Sequence, residues 1–223
     1  EHELVASIGA GVSITADDVS VSAVNHEINV APSLPIDFDD FDLDALADEF
    51  KALGDTLMQK PLLGRSNYYV EAIGGAAATG GVAVQGSFAV MVFDDLVSAT
   101  IGRSLSDSSF TGAPTIQATG DVTLEARKDS TAKAVSGGVA VGDSVGVGVS
   151  SSVIVSSGTT RAVLDGNANV TGSGGFAALA GASQDIWALG LAAGGASTVG
   201  VAGVATVITA QNLVEARVAD LLS

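Results

Sequence analysis

Closely spaced aspartates are the residues whose type and spacing come nearest to a recognisable chemistry. They lie within one short segment and are Asp37, Asp39, Asp40, Asp42 and Asp44. Hard carboxylate oxygens at such spacing are the ligands that calcium prefers. Counted from Asp40, however, the glycine position of an EF-hand loop holds Ala45, and its bidentate glutamate position holds Lys51. The segment therefore predicts either a looser Ca²⁺ site or a solvated helix entrance without an ion. The second is favoured because charge runs are usually solvated.

No other group of titratable residues in the sequence predicts catalysis. The pairs Asp17–Asp18 and Asp94–Asp95 are adjacent, so on a strand their side chains point to opposite faces and do not converge on one substrate. His2 and His26 form neither an i, i+4 metal pair nor a visible triad with a serine. The absence of cysteine excludes a disulfide scaffold, a thiolate metal site and a cysteine nucleophile. We expect no catalytic residue, and no cofactor other than the Ca²⁺ just considered.

The composition excludes further classes of protein. The 223 residues carry 9 Lys and Arg against 25 Asp and Glu, a net charge of −16. Because phosphate contacts need a basic face, nucleic acid is not an expected partner. With 47% hydrophobic residues, the chain can bury enough surface to fold. Only 4% of the residues are aromatic and 28 are glycine, which predicts thin, closely stacked layers rather than a bulky core.

Three sequence elements recur in a fixed order along the chain. One is centred on alanine and occurs at residues 4–8, 97–101, 160–164 and 214–218. Another alternates apolar and polar residues around a Gly/Asp turn and occurs at residues 12–23, 115–126 and, in weaker form, 169–179. The third is a Gly-Gly start, at residues 74–75, 137–138 and 194–195, before an apolar run at residues 82–93, 139–155 and 199–208. Period-two alternation with turn residues between the segments predicts half-buried strands.

This repeat predicts an all-β fold, a parallel β-helix or β-solenoid of about three sequence periods. Residues 1–223 would form a single domain that is a fragment of a longer repetitive protein, with adjacent repeats of the same polypeptide as its first partners. A β-sandwich is the alternative, but it predicts fewer glycines, more aromatic residues and no fixed order of elements. Uncharged runs such as residues 186–214 also resemble transmembrane helices. Leu and Met are scarce and no Lys/Arg cluster sets an orientation, so we expect a chain that does not span a membrane.

An acidic insertion interrupts the repeat at residues 28–66. Its apolar residues change to helical spacing and predict one amphipathic α-helix at about residues 42–60, which ends where Lys60 precedes Pro61. The apolar stripe of this helix includes Leu43, Leu46, Phe50 and Leu53. The stripe either binds a partner or covers an exposed sheet edge, and the cover is favoured because edges commonly need one.

Two stretches of the repeat are similar to a known class. They are the Gly/Val/Ser run of residues 137–164 and the segment Gly-Asp-Val-Thr-Leu-Glu-Ala at residues 120–126. Both resemble the repeats of very large secreted bacterial filamentous adhesins, the haemagglutinin- and leukotoxin-type exoproteins. The resemblance covers most of the chain outside the insertion. It implies a β-helical stalk, export across the outer membrane to the cell surface or the extracellular space, and a role in cell adhesion and biofilm formation.

The favoured hypothesis is therefore a non-catalytic structural or adhesive segment, either a rigid stalk or a binding element for a host or matrix receptor or glycan. Repeated weak contacts would add avidity, and the negative charge would keep long rods soluble and apart. One alternative is a carbohydrate-active β-helix enzyme, a polysaccharide lyase or hydrolase. It requires a cleft in which acids converge with a basic residue. A membrane-inserting segment is the remaining alternative, and it predicts helical structure in lipid.

Overall fold

The structure is a computed structural model that describes residues 2–25, 68–102, 112–172 and 174–218. Within these ranges the chain forms strands, turns and short loops, and no helix, which confirms the predicted all-β class. The strands are β1 (His2–Ile8), β2 (Ser13–Ala16), β3 (Val19–Asn25), β4 (Tyr68–Ala78), β5 (Val82–Ile101), β6 (Thr115–Ala118), β7 (Val122–Gly142), β8 (Val145–Leu164), β9 (Asn169–Gly172), β10 (Phe176–Ala196) and β11 (Val199–Val218).

The strands form three sheets in which all pairs are parallel. Sheet I has the order β1-β5-β8-β11, and sheet III has the order β2-β6-β9. Sheet II has the order β10-β7-β3, and β4 pairs with the distal part of β7, so that β3 and β4 both border β7 on one side. The chain visits sheets III, II and I in this order three times. Parallel sheets built in this way are compatible with the β-solenoid that the repeats predict.

The alanine-centred element is a register mark for sheet I. Ala6 pairs with Ala99, Ala99 with Ala162, and Ala162 with Ala216. The alternating element behaves in the same way in the other two sheets, where Ile14, Ile116 and Val170 are aligned in sheet III. Both sequence elements were therefore predicted correctly as strands that repeat in space.

The Gly-Gly element recurs in the sequence but is not a register mark in the sheets. Gly74 pairs with Gly138, but Gly137 pairs with Ile73, and Gly194 pairs with Ala140. These glycines lie inside β4, β7 and β10, and the chain reverses only afterwards, at residues 79–81, 143–144 and 197–198. A Cβ atom on Gly138 or Gly194 would collide with the backbone carbonyl oxygen of Val149 or Val201 in sheet I, so these two glycines allow close packing between the sheets.

The core is widest where all three sheets meet. Val97, Ile101, Ile116 and Leu124 are buried there, with smaller residues of the same strands between them. The buried side chains of this cluster come from all three sheets, and there is space for Ile and Leu at this end. The aliphatic burial supplies on the order of 1.5–3 kcal/mol for each large side chain.

Away from sheet III the distance between sheets I and II decreases, and the inward-facing residues become smaller until they are glycine. In the middle, Ala132 and Ala134 pack with Phe93 and Ile154. Farther along, a Cβ atom on Gly148 would collide with the carbonyl oxygens of Ala193 and Gly138 in the facing sheet. The backbones of sheets I and II therefore approach too closely for a side chain at Gly148, and the buried Ala140 nearby is as small as a side chain can be, which explains the high glycine and alanine content.

The outer faces of the two long sheets differ in character. On sheet I the face is apolar and open to solvent, and its residues Val84, Phe88 and Val92 are 63%, 63% and 71% exposed. On sheet II the outer face carries charged and aromatic side chains, described below. The predicted insertion at residues 28–66 and its helix lie outside the described residues. In the described ranges, no helix is long and apolar enough to cross a membrane.

Candidate functional site

The residues predicted as a calcium site and as a partner-binding stripe lie outside the described ranges. They are Asp37, Asp39, Asp40, Asp42 and Asp44 for the ion, and Leu43, Leu46, Phe50 and Leu53 for the partner. Elsewhere, among residues 2–25, 68–102, 112–172 and 174–218, no three His, Asp or Glu side chains lie close enough to hold a metal ion. Both expectations remain predictions.

The adjacent aspartates of β5 do point to opposite faces. Asp94 lies on the outside of sheet I, where its Oδ1 accepts a hydrogen bond of 2.8 Å from the Ser157 hydroxyl. Asp95 points inward, and 2% of its surface is exposed. The prediction that these two side chains point to opposite faces is confirmed.

Asp95 belongs to a buried cluster between the two long sheets. Its Oδ2 lies 2.9 Å from the Nζ of Lys128, and each side chain is 1% exposed. Its Oδ1 accepts a hydrogen bond from the hydroxyl of Tyr68, whose ring stacks on Phe93 with 4.1 Å between ring centroids. Burial raises the pKa of Tyr68, and the hydrogen bond to Asp95 and the charge of that carboxylate raise it further.

This cluster is closed to ligands. Gly158 lies between Asp95 and Asn212 in sheet I, and it leaves the space that the ammonium group of Lys128 occupies. Asn212 in turn donates a 2.8 Å hydrogen bond to Gln184 of sheet II. The network joins sheets I and II at the point where the core narrows. Because a buried charge needs a partner, we assign it to structure.

An open groove, which we call the outer groove, runs along the outer face of sheet II between β7 and β10. It has a volume of about 300 Å³. Its lining combines three charged side chains of β7 with a strip of small residues from β10, and comprises Glu125, Ala126, Arg127, Asp129, Leu179, Ala180, Gly181, Ala182 and Ser183. A Cβ atom on Gly181 would meet nothing within 4 Å, so the floor of the outer groove is open above this residue.

The charges in the outer groove are partly paired. The Nε of Arg127 lies 3.3 Å from the Oδ2 of Asp129, and these side chains are 56% and 24% exposed. Glu125 lies on the same face of β7 because residues two apart on a strand point to the same side. Four residues of strand span about 13 Å, so the Cα atoms of Glu125 and Asp129 are about that far apart, and Arg127 lies between them on the strand.

A row of large side chains crosses the same face farther along the strands. Lys133 of β7 is aligned with Tyr69 on one side and with Trp187 on the other. Lys133 is only 2% exposed although it lies on the outer face, whereas Trp187 is 48% exposed. We call Tyr69, Lys133 and Trp187 the aromatic row.

Carboxylates hold both rings of the aromatic row. The Trp187 Nε1 donates a 3.0 Å hydrogen bond to Asp185, and the Tyr69 hydroxyl donates one to Glu71. Each acid lies two residues from its aromatic partner on the same strand. The rings are thus oriented by local contacts. Trp187 remains 48% exposed, whereas Tyr69 also packs against the buried Val135.

Sequence reasoning missed this face for an identifiable reason. It examined adjacent acids, whereas the side chains that share a face alternate, as Glu125, Arg127 and Asp129 do. Alternation was visible in the sequence, and it could have indicated the groove. The alignment of Lys133 with Tyr69 and Trp187 depends on how β4, β7 and β10 pair with one another. That register cannot be read from the sequence, because the repeat is interrupted before β4.

Comparisons with known proteins give no relative of this chain. No family model, no curated protein and no solved structure matches it.

Proposed function

We propose that the chain is a non-catalytic β-solenoid segment of a large extracellular bacterial adhesin, which acts as a rigid structural element and presents a binding surface. The observation that carries the proposal is the in-register repetition of three parallel sheets. Val82, Val145 and Val199 are aligned over successive periods, and so are Ala99, Ala162 and Ala216. The similarity of residues 137–164 to adhesin repeats supports the same function.

The stacking explains why such an element would be rigid. In sheets I and II the strands of 20 or 21 residues pair along their whole length between the second and third periods. Bending the stack would break many hydrogen bonds of one ladder together. The narrow glycine-lined end also leaves no space for the two sheets to slide past each other.

A carbohydrate-active enzyme is the second candidate, because the outer groove holds two acids and an arginine. The placement of Glu125 and Asp129 disfavours it, because their Cα atoms are about 13 Å apart and Arg127 lies between them, which does not favour two carboxylates on one glycosidic bond. The ion pair of Arg127 with Asp129 also occupies the cation that a lyase would need.

An adhesion assay on coated beads tests the proposal. Beads that carry the chain should attach to surfaces coated with polysaccharide or matrix protein more than albumin-coated beads do, and the chain should release no new reducing or unsaturated ends from dissolved polysaccharides. Attachment no greater than that of albumin would contradict the adhesive function, and release of sugar ends would contradict the non-catalytic one.

A further inference from the structure

The outer face of sheet II has the composition of a saccharide-binding surface. The exposed indole of Trp187 donates a hydrogen bond to a carboxylate, and Tyr69 lies two strands away. The outer groove ends at Ser183, four residues before Trp187 on the same strand. Aromatic rings offer an apolar face with polar groups at the edge. Pyranose rings are complementary to this, because they have apolar C–H faces and a rim of hydroxyls.

The outer groove and the aromatic row form one continuous track. Leu179, Gly181, Ser183, Asp185 and Trp187 alternate along β10, so all five point to the outer face. From Leu179 to Trp187 the strand rises about 26 Å, which accommodates about five sugar rings in line. A linear chain could therefore lie along β10 and contact both parts at once.

The charge of the track selects among saccharides. Four carboxylates border it, those of Glu71, Glu125, Asp129 and Asp185. Arg127 is paired with Asp129, and Lys133, which is aligned with Tyr69 and Trp187 in the sheet, is only 2% exposed. With a net charge of −16 on the whole chain, sulfated or uronic polymers are repelled, whereas carboxylates accept hydrogen bonds from neutral hydroxyls.

From this juxtaposition of the aromatic row with the outer groove, we propose that the outer face of sheet II binds an uncharged, linear polysaccharide of the hexose or pentose class. The inference rests on the proposed function, because it names the ligand class of the adhesive surface. The site is open and shallow, so a single chain binds weakly, with a dissociation constant on the order of 0.1–1 mM, and attachment depends on many copies.

Trp187 is the sole tryptophan and reports directly on the site. The probes are neutral linear hexasaccharides of β-linked glucose, xylose or mannose. We expect at least one of them to shift the tryptophan fluorescence saturably. A sulfated hexasaccharide at the same concentration should give no shift. Gly181→Leu places an apolar side chain in the outer groove at a position where a Cβ atom would meet nothing within 4 Å, and it should weaken binding at least tenfold with unchanged circular dichroism.

Two matched controls separate the site from general surface effects. Asp185→Ala should weaken binding, whereas Asp94→Ala removes an exposed carboxylate from sheet I and should not. In calorimetry, Trp187→Ala should abolish binding, whereas Phe88→Ala removes an exposed ring from sheet I and should not. The absence of a fluorescence shift with all neutral probes, tighter binding of the sulfated probe, or equal effects of paired variants would overturn the inference.

The two proposals can fail separately in these experiments. If beads attach to surfaces and Trp187→Ala attaches equally, the saccharide inference is wrong while the adhesive function stands. If a hexasaccharide binds at Trp187 and is cleaved, the site is right while the non-catalytic function is wrong.

Discussion

The carboxylate of Asp121 accepts a 2.7 Å hydrogen bond from the backbone N–H of Gly175, which lies 54 residues later in the sequence. One period earlier, the carboxylate of Asp18 accepts a 2.8 Å bond from the N–H of Asp121 itself. Each aspartate thus binds the same turn position of the next period. The Gly-Asp-Val motif has a physical cause here, since its aspartate fixes the vertical alignment of successive turns.

Asp121→Ala should lower the free energy of unfolding by about 1–2 kcal/mol, because a hydrogen bond to a charged acceptor is lost at a turn. Asp121→Asn keeps an acceptor oxygen and should retain more than half of that stability. Urea denaturation of both variants measures this difference. If the two substitutions cost the same, the side chain does not act through its hydrogen bond to Gly175.

Lys128→Met should destabilise the fold by about 3–5 kcal/mol, because it leaves the carboxylate of Asp95 buried without its cation. The double variant Lys128→Met/Asp95→Asn removes both charges and should recover most of this loss. Arg217→Ala breaks an exposed contact with Glu215 and serves as the control, with an expected change below about 1 kcal/mol. Denaturation that shows no recovery in the double variant would contradict the ion-pair assignment.

The raised pKa of Tyr68 predicts a loss of stability at high pH. The native state keeps the phenolic proton above pH 10.0, the ordinary pKa of the group, where the unfolded chain has lost it. The contribution of Tyr68 to the free energy of unfolding is therefore independent of pH below that value, and it falls as the pH rises above it. Asp95 of β5 and Lys128 of β7 are the charged groups in the same cluster.

Thermal denaturation at about pH 8 and about pH 11 checks this, since the ordinary tyrosine pKa lies between them. Tyr68→Phe has no phenolic proton, so it should lose less stability between the two values than the unmodified chain. Lys128 and the other ionisable groups are common to both proteins. An equal loss in the two proteins would show that Tyr68 is not responsible.

Gly148→Ala should destabilise the protein by more than about 3 kcal/mol, because the new methyl group meets backbone carbonyl oxygens of the facing sheet and cannot move aside. Gly203→Ala is the matched control in the same sheet. A Cβ atom on Gly203 would lie 3.7 Å from the nearest atom, a methyl group of Val149, so little change in melting temperature is expected. Similar melting temperatures for the two variants would contradict the close approach of sheets I and II.

The strands could be predicted from the sequence where side chains alternate. The alanine-centred and Gly/Asp elements carry a period of two and recur with similar residues, so both their type and their stacking were readable. The role of the Gly-Gly element could not be predicted from the sequence, because glycine occurs both at turns and at close approaches of two backbones. Only the facing sheet shows that Gly138 needs the second.

The buried cluster and the outer face could not be predicted, because both depend on which residues face each other. Lys128 is one lysine among charged residues of β7, and its neighbours in sequence, Arg127 and Asp129, are solvent-accessible. Its burial follows from Asp95 on another sheet. Trp187 likewise acquires Lys133 as a neighbour only when a separate period is aligned with it.

The number of residues in one period determines how the stack of strands grows in height and in width. Fifty-four residues separate equivalent atoms such as those of Asp121 and Gly175. Fully extended they would reach about 180 Å, yet stacking raises the molecule by about 4.8 Å per period. A chain folded in this way gains little height for each residue added. Each added period instead adds a strand about 65 Å long to each of the two long sheets, so it enlarges the surface of the sheets far more than the height of the stack.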